Sequence, residues 1–302
     1  MRLQNILNTD VKLNMDAVGA DLELARQVQI RLIALGLLAP PADGLFGPVS
    51  AAALKDFQDR MKCNEPGFLG KITAEKLIEA KIEDLPKPEL KLGNDLASRI
   101  IKYMQLKKYI IFTEPKHYNI VYIEGMNPDG TLNDDRPNVF NDLRIVIEFQ
   151  NGLPKIVGMW EATTEPGSKY TYNPMNPKGA ARIQFGQYTS WSVGYHGTAT
   201  RHEALVQVRP LTVCRDFDQN FSRVGDELDT GIFAINQHWG YDYPKNDVGG
   251  ASAGCLVGRS TDGHREFMRI IKQDKRYQLN NDFVFTSCVI PGDDLNKKFP
   301  PS

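Results

Sequence analysis

The spacing of apolar residues divides the chain into a helical front and a strand-rich remainder. Between about 22 and 38, Leu24, Val28, Leu32, Leu35 and Leu38 recur at helical intervals, which predicts an amphipathic helix. Gly36 interrupts the stripe near its end, and Pro40-Pro41 forbid its continuation. Asp43-Gly44 and Gly47-Pro48 are turn signals. After them Ala53, Leu54 and Phe57 mark a second helix, with Ser50 as its expected cap. FLGKITAEKLIEA predicts a third, capped by Thr73 and apolar at Leu77 and Ile78. Residues 1–20 show no such period and read as polar.

The stretch KIEDLPKPELKLGNDL is charged and proline-bearing, the composition of a linker. A helix over about 96–110 follows, and then the period changes to two. YNIVYIEG, ARIQFGQYTSWSVGY, EALVQVRPLTVCRD, TGIFAINQHW and DFVFTSCVI read as strands. LRIVIEFQ and LPKIVGMWEATT, joined by Asn151-Gly152, read as a β-hairpin. One helix, over about 262–274, interrupts late. The fold predicted is multi-domain, α then β: a small three-helix domain over 20–82, a linker over 83–96, and a mainly-β domain over 97–302. So many strands with few helices imply a sandwich or a partly closed barrel.

Composition adds exclusions. A length of 302 residues suits two domains. A formal net charge of -1 offers no basic excess for nucleic acid or an anionic membrane surface. No apolar run is long enough to span a bilayer. The N-terminal apolar residues are broken by Asn and Asp, so no secretory signal is expected there. Four cysteines do not make a disulfide scaffold. Cys63, Cys214 and Cys288 read as small buried hydrophobes, and spacing alone does not decide a Cys214–Cys288 bond. Cys255 differs: in GGASAGCLVGR it has only small neighbours, and an uncovered thiol is expected.

A cysteine nucleophile needs a thiolate, an imidazole to take its proton, and backbone N–H groups to hold an oxyanion. Ala251-Ser252-Ala253-Gly254-Cys255 would let substrate approach the backbone closely. His238 precedes it, at the end of the apolar run TGIFAINQ and before Trp239-Gly240. The polar, turn-rich YDYPKNDVGG between them would loop His238 back over Cys255.

Two resemblances follow from these residues. Residues from about 22 to 80 resemble the three-helix peptidoglycan-binding domain family, through VQIRLIALGLL, ADGLFGPVSAAALKDFQ and FLGKITAEKL in that order. Asp43, Gly44, Phe46 and Gly47 match its DGxFG turn, and Phe57-Gln58 its FQ pair. Residues from about 140 to 290 resemble the L,D-transpeptidase catalytic domain of the YkuD type. That family carries a histidine at a strand end, a loop, and a Ser/Thr-x-Gly-Cys element, matched here by His238 and Ser252-Ala253-Gly254-Cys255. WEATTEPG and NPMNPKGAARIQFG look like the strand and turn before its active-site sheet.

The resemblance implies Cys255 as nucleophile and His238 as general base, then as acid to the leaving amine. It implies the N–H groups of Gly254 and Cys255 as oxyanion donors and Ser252 as a hydrogen-bonding residue of the loop. A backbone carbonyl near Trp239-Gly240 would orient His238. His196, Trp239, Gly240, Ala253 and Arg259 are expected around the substrate. Two positions depart from the family. Ala253 stands where a second histidine often precedes Gly-Cys, and Val257 where Arg or Asn often helps hold substrate; Arg259 is the nearest arginine. The second departure tilts the reading toward hydrolysis.

Among other histidines, His196 is the rival base, far outside the family's spacing to Cys255, while His117, His202 and His264 read as surface or helix positions. Asp216, Asp218, Asn220, Ser222 and Glu227 follow the offsets of a calcium loop, but Phe221 replaces its glycine and Arg223 its hydrophobe, so a polar hairpin loop is expected. There is neither HExxH nor a CxxC pair, so no metal and no cofactor are expected. Tyr170, Tyr172, Trp191 and Trp239 are candidates for a glycan or peptide groove, with packing as their ordinary role.

The function expected is a peptidoglycan peptidase or transpeptidase working through an acyl-thioester on Cys255, with stem peptides and glycan as partners. It would act at the wall or periplasm, as a phage lysin or as an injected antibacterial effector that meets secretion machinery and an immunity protein. Export would be by lysis or a dedicated secretion system, with the cytoplasm as the compartment before delivery. The alternatives are an inactive wall-binding or phage structural protein, and a cysteine enzyme acting on another amide.

Overall fold

The computed structural model describes residues 1–82, 84–86 and 89–301. Within the linker expected over 83–96, Glu83, Lys87 and Pro88 lie outside the described residues. The chain divides into two compact units, Met1–Glu89 and Leu90–Ser302.

The first unit contains α1 (Leu3–Ile6), β1 (Leu13–Asn14), α2 (Met15–Ala20), α3 (Leu22–Ala34), α4 (Pro48–Arg60), β2 (Phe68–Leu69) and α5 (Lys71–Glu79). The three expected helices are α3, α4 and α5, but α1 and α2 raise the helix count to five among the described residues. Residues 1–20 are therefore more than a polar leader: Leu3, Ile6 and Val18 join Leu24, Leu32, Leu54, Phe57 and Leu77 in one core. Helices this short carry too few apolar positions to show a period.

Ser50 and Thr73 do not cap helices; both are buried one turn inside them. Pro48 starts α4, where its missing N–H costs nothing. The Glu65 carboxylate accepts from the N–H groups of Gly70, Ile72 and Thr73 and so closes the start of α5 from outside the helix. The Asp43–Gly47 turn is pinned to α3 by Gln29. The Gln29 amide donates to Asp43 Oδ1 at 2.9 Å and accepts the Gly44 N–H at 2.7 Å. Gly44 has φ +81°, and a Cβ there would stand 2.6 Å from Leu22. Phe46 packs against the core, and Gly47 caps α4.

The second unit begins with α6 (Leu96–Leu106), β3 (Asn119–Glu124), β4 (Asp142–Gln150), β5 (Leu153–Thr163), α7 (Ser168–Tyr172) and β6 (Ala180–Ile183). It continues through β7 (Gly186–His196), β8 (His202–Gln207), β9 (Leu211–Asp216), β10 (Glu227–Gly231), β11 (Gln237–Trp239) and β12 (Leu256–Gly258). It ends with α8 (Thr261–Ile271), α9 (Lys275–Leu279), β13 (Phe285–Pro291) and α10 (Gly292–Lys298). Eight strands close into a barrel in the order β11-β12-β5-β4-β3-β13-β7-β8, and β10-β9-β6 form a separate small sheet. The strand-rich region is thus neither a sandwich nor a partly closed barrel; closure satisfies the edges an open sheet would expose. Asn151 and Gly152 take φ of 52° and 80°, the two positive values a tight hairpin between β4 and β5 needs.

Alternation along the strands gives the barrel an apolar outer face and a partly polar interior. Val121, Ile123, Leu143, Ile145 and Ile290 pack under α6 and α10. Tyr122 and Arg144 lie on the opposite face, inside the barrel, where they bond to groups of β11 and β12. The apolar run expected to end at His238 is not one strand. β10 stops at Gly231, the chain bends through 232–236 with Ala234 at φ +58°, and His238 is the middle residue of β11. No helix of the described residues is long and apolar enough to cross a membrane.

Candidate active site

β11 and β12 pair in parallel, with Gln237 opposite Leu256 and His238 opposite Val257. Cys255 immediately precedes β12, so the bend before β11 runs beside the sulfur. The thiol donates to Ala234 O at 3.5 Å, and Sγ accepts the Asn236 N–H at 3.4 Å. Trp191, fully buried, braces the same bend by donating from Nε1 to Ile235 O at 2.7 Å, so its role is packing rather than lining a groove. The expectation of an uncovered thiol fails: Cys255 is 8% exposed. Its small sequence neighbours leave room, and Phe140, Val248 and Tyr241 fill it. Burial pushes the thiol up to about 11, with the Asn236 N–H pulling the other way.

Gly254 has φ +122°, and a Cβ there would lie 2.3 Å from Ala181 O, so only glycine fits. Ser252 is buried and closes the loop: its hydroxyl donates to Cys255 O at 2.9 Å and accepts the Gly254 N–H at 3.1 Å. The Gly254 N–H is thereby engaged inside the loop, which corrects its expected role as an oxyanion donor. The Cys255 N–H makes no intrachain hydrogen bond among the described residues. The turn after WEATT braces the loop, as Gly167 N–H donates to Ser252 O at 2.9 Å.

His238 is 1% exposed. Its Nδ1 bonds Trp239 O at 2.7 Å; a carbonyl only accepts, so Nδ1 carries the proton and Nε2 the lone pair. No hydrogen bond joins Nε2 to Sγ among the described residues. The ring stacks on His196, with centroids 3.9 Å apart and planes 7° from parallel. His196 Nδ1 accepts from the Asn236 side-chain amide at 3.0 Å. Asn236 therefore touches both the sulfur, by its backbone, and the stacked imidazole, by its side chain. Sequence reasoning missed it; the available signal was a polar Asn-Gln pair closing an apolar run.

His202 and His264 are buried, not superficial. His196 and His202 are cross-strand partners in the β7–β8 hairpin, which brings both to one end of the barrel. His202 stacks on Trp239 at 3.8 Å and bonds Thr200 O at 2.8 Å. His264, on α8, donates from Nε2 to Glu203 O at 2.9 Å and accepts from Arg144 at Nδ1. All four imidazoles titrate below their ordinary range, chiefly because burial disfavours the cation. A second cause adds at His196 (the ring of His202), at His238 (the ring of His196) and at His264 (the Arg144 charge). The cluster is neutral at pH 7, and His238 keeps a lone pair on Nε2.

Among the other expected substrate residues, Arg259 stands apart from the sulfur. Arg259 pairs with Glu161 at 2.7 Å, four residues past Cys255 and so roughly 13 Å along the strand direction. There it lines a cleft of 250 Å³ with Trp160, Ser260 and Glu266. Gly240 is a packing glycine: a Cβ would meet Phe140 at 2.9 Å. Ala253 is half-buried within the loop, two residues before Cys255. Tyr172 is exposed and packs edge-on against Phe221. In the calcium-like loop, the carboxylates of Asp216, Asp218 and Asp226 lie within 4.8 Å of one another, while Glu227 pairs with Lys178 at 3.0 Å. Asp216 accepts from Asn220 and Phe221 N–H, as in a hairpin loop. All four cysteines are free; Cys214 sits on β9 of the small sheet and Cys288 on β13 of the barrel.

Residues 22–77 match the family model of a peptidoglycan binding domain. No curated protein matches the chain. Among solved structures, a fused Zn-dependent amidase/peptidase/peptidoglycan-binding domain-containing protein from Clostridium acetobutylicum ATCC 824 aligns at 12% identity and TM-score 0.29, covering 93% of this chain and 100% of that one. The L,D-transpeptidase (residues 123-326) from Xylanimonas cellulosilytica DSM 15894 aligns at 13% identity and TM-score 0.22, covering 88% of this chain and 92% of that one.

Proposed function

We propose that the chain is a peptidoglycan-directed cysteine enzyme that acts at the cell wall on stem-peptide amide bonds, through an acyl-thioester on Cys255. The observation that carries this reading is the parallel pairing of β11 with β12, which runs the His238 and Cys255 segments side by side, with the imidazole already oriented by Trp239 O. The match of residues 22–77 to a peptidoglycan binding domain supplies the substrate class.

Both groups are neutral at rest, so reaction starts by general-base catalysis rather than from a preformed ion pair. Nε2 of His238 takes the S–H proton as sulfur adds to the amide carbon. The Cys255 N–H is the donor available to the oxyanion. Collapse breaks the C–N bond, His238 returns its proton to the leaving amine, and the acyl group stays on sulfur. Water or a second amine then attacks, giving an acid or a new amide and restoring the thiol. The Nε2–Sγ hydrogen bond forms when substrate is bound. Val257, in place of the side chain that helps hold substrate, favours water, and hence carboxypeptidase or endopeptidase activity.

A second reading, a catalytically inactive wall-binding protein, is favoured by the thiol's burial and its missing bond to Nε2. Mass spectrometry of muropeptide monomers and cross-linked dimers incubated with wild type and Cys255→Ala separates the two. New tripeptides, separated dimers or new cross-links with wild type alone support the enzyme. Unchanged muropeptides with both proteins, while both still bind sacculi, favour the wall-binding protein.

A further inference from the structure

Arg144 is fully buried inside the barrel, on β4. It is a residue that sequence reasoning passed over, although an arginine within the apolar LRIVIEF run was a signal. A buried guanidinium ordinarily has a carboxylate partner, because an uncompensated charge in a barrel interior is costly. Arg144 forms no ion pair among the described residues. Nε donates to Tyr122 Oη at 2.6 Å and Nη1 to His264 Nδ1 at 3.0 Å. Nη2 donates to two carbonyls, His238 O at 3.0 Å and Leu256 O at 3.2 Å. The rings of Phe267 and Tyr122 face it at 4.5 and 5.3 Å.

Every acceptor in that shell is neutral. Burial holds Tyr122 protonated, up to about 12, and keeps His264 deprotonated. The two carbonyls belong to the strand that carries the base and to the strand that follows the nucleophile. The site is shaped for this side chain as well: a Cβ on Gly258 would stand 2.6 Å from Nη1.

We infer that Arg144 is a positioning residue of this site, which ties the His238 strand to the Cys255 strand and leaves beside them an uncompensated positive charge that favours the thiolate. The inference rests on the reading of Cys255 as nucleophile. Arg144 Nη2 bonds the carbonyl of Leu256, the residue after Cys255, and a cation held there stabilises the anion formed when the S–H proton leaves, through a medium that screens less than water does. The shared Nη2 bridge fixes the register of β11 against β12, a pairing only three residues long.

The test compares full-length wild type, Arg144→Met and Arg144→Lys. Iodoacetamide labelling of Cys255 is followed by peptide mass spectrometry across a pH series, and muropeptide turnover is resolved into kcat and KM. The Met variant is expected to displace the labelling profile upward by about one pH unit, so that labelling is about tenfold slower at any pH below the midpoint. The Lys variant keeps the charge and the profile but loses the planar two-carbonyl bridge, so kcat falls about tenfold at unchanged KM. Arg144→Gln replaces the Met variant should that protein lose its folded circular dichroism signal. A neutral variant whose labelling profile overlays wild type overturns the charge effect, and a Lys variant with wild-type kcat overturns the bridge. Turnover that survives Cys255→Ala defeats the cysteine mechanism instead, and the labelling profiles still decide what Arg144 does to the thiol.

Discussion

The two units differ in what they bury. The first has an aliphatic and aromatic core, and Glu65 is its one buried charged side chain among the described residues. It contains none of the chain's five histidines. The second buries arginines, carboxylates and three histidines, with a fourth stacked on His238. A core made of apolar stripes stabilises a fold and leaves its surface to bind. A core that holds titratable groups gives up stability for groups whose protonation matters. The difference is the one the proposed function expects, with a binding module in the first unit and chemistry in the second.

The sharpest way to break that contrast is His238→Gln. It should lower muropeptide turnover about a thousandfold, the scale of a lost general base, while sacculus binding by the first unit is unchanged. Turnover within a few-fold of wild type would remove His238 from the chemistry. In the other direction, Phe57→Ala should destabilise the first unit by about 4 kcal/mol and abolish sacculus binding, with turnover of small muropeptides kept. Gly254→Ala should cost the second unit about 3 kcal/mol and most of its activity, since the new methyl meets Ala181 O and the backbone is left-handed. Calorimetry and the same turnover assay read both variants.

Smaller effects sharpen the picture. Gln29→Ala should cost the first unit about 2 kcal/mol, because Gln29 satisfies the Asp43–Gly44 turn from a buried position, and chemical denaturation of that unit measures it. The pH response should separate the units by the least. The buried imidazoles titrate below their unfolded value of about 6.5, so the stability they contribute is present above that pH and is lost as pH falls through their lowered values. Measured against a His264→Gln variant, the wild-type second unit should lose a few degrees of relative melting temperature between about pH 7.5 and about pH 5.5, because both proteins share the opposite drift of Glu165, Asp135 and Asp142, whose carboxyls burial pushes up. A difference that does not change with pH would sink the assignment to these histidines.

Local periodicity was enough for α3, α4 and α5, for the β4–β5 hairpin with its Asn151-Gly152 turn, and for a mainly-β second half. Each is set by side chains close in sequence, through a repeating apolar face or a turn that needs positive φ. The Cys255 and His238 segments were legible as candidates because small residues around a cysteine and a histidine near a strand leave a local mark. What only the tertiary structure decided is long-range. Loop residues Phe140, Tyr241 and Val248 bury Cys255 despite its small neighbours. The β7–β8 hairpin brings His196 and His202 to His238, and α8 adds His264. Arg144 meets the carbonyls of His238 and Leu256, and Asn236 meets both the sulfur and His196. The cap at Thr73 was misread for the same reason, since Glu65, outside α5, supplies the acceptors that a local cap would have supplied, whereas α4 starts on Pro48 after Gly47 and leaves Ser50 inside the helix. Sequence pattern records which face of an element is apolar; which polar groups converge is set by how the sheet closes, and closure depends on pairings between residues far apart in the chain.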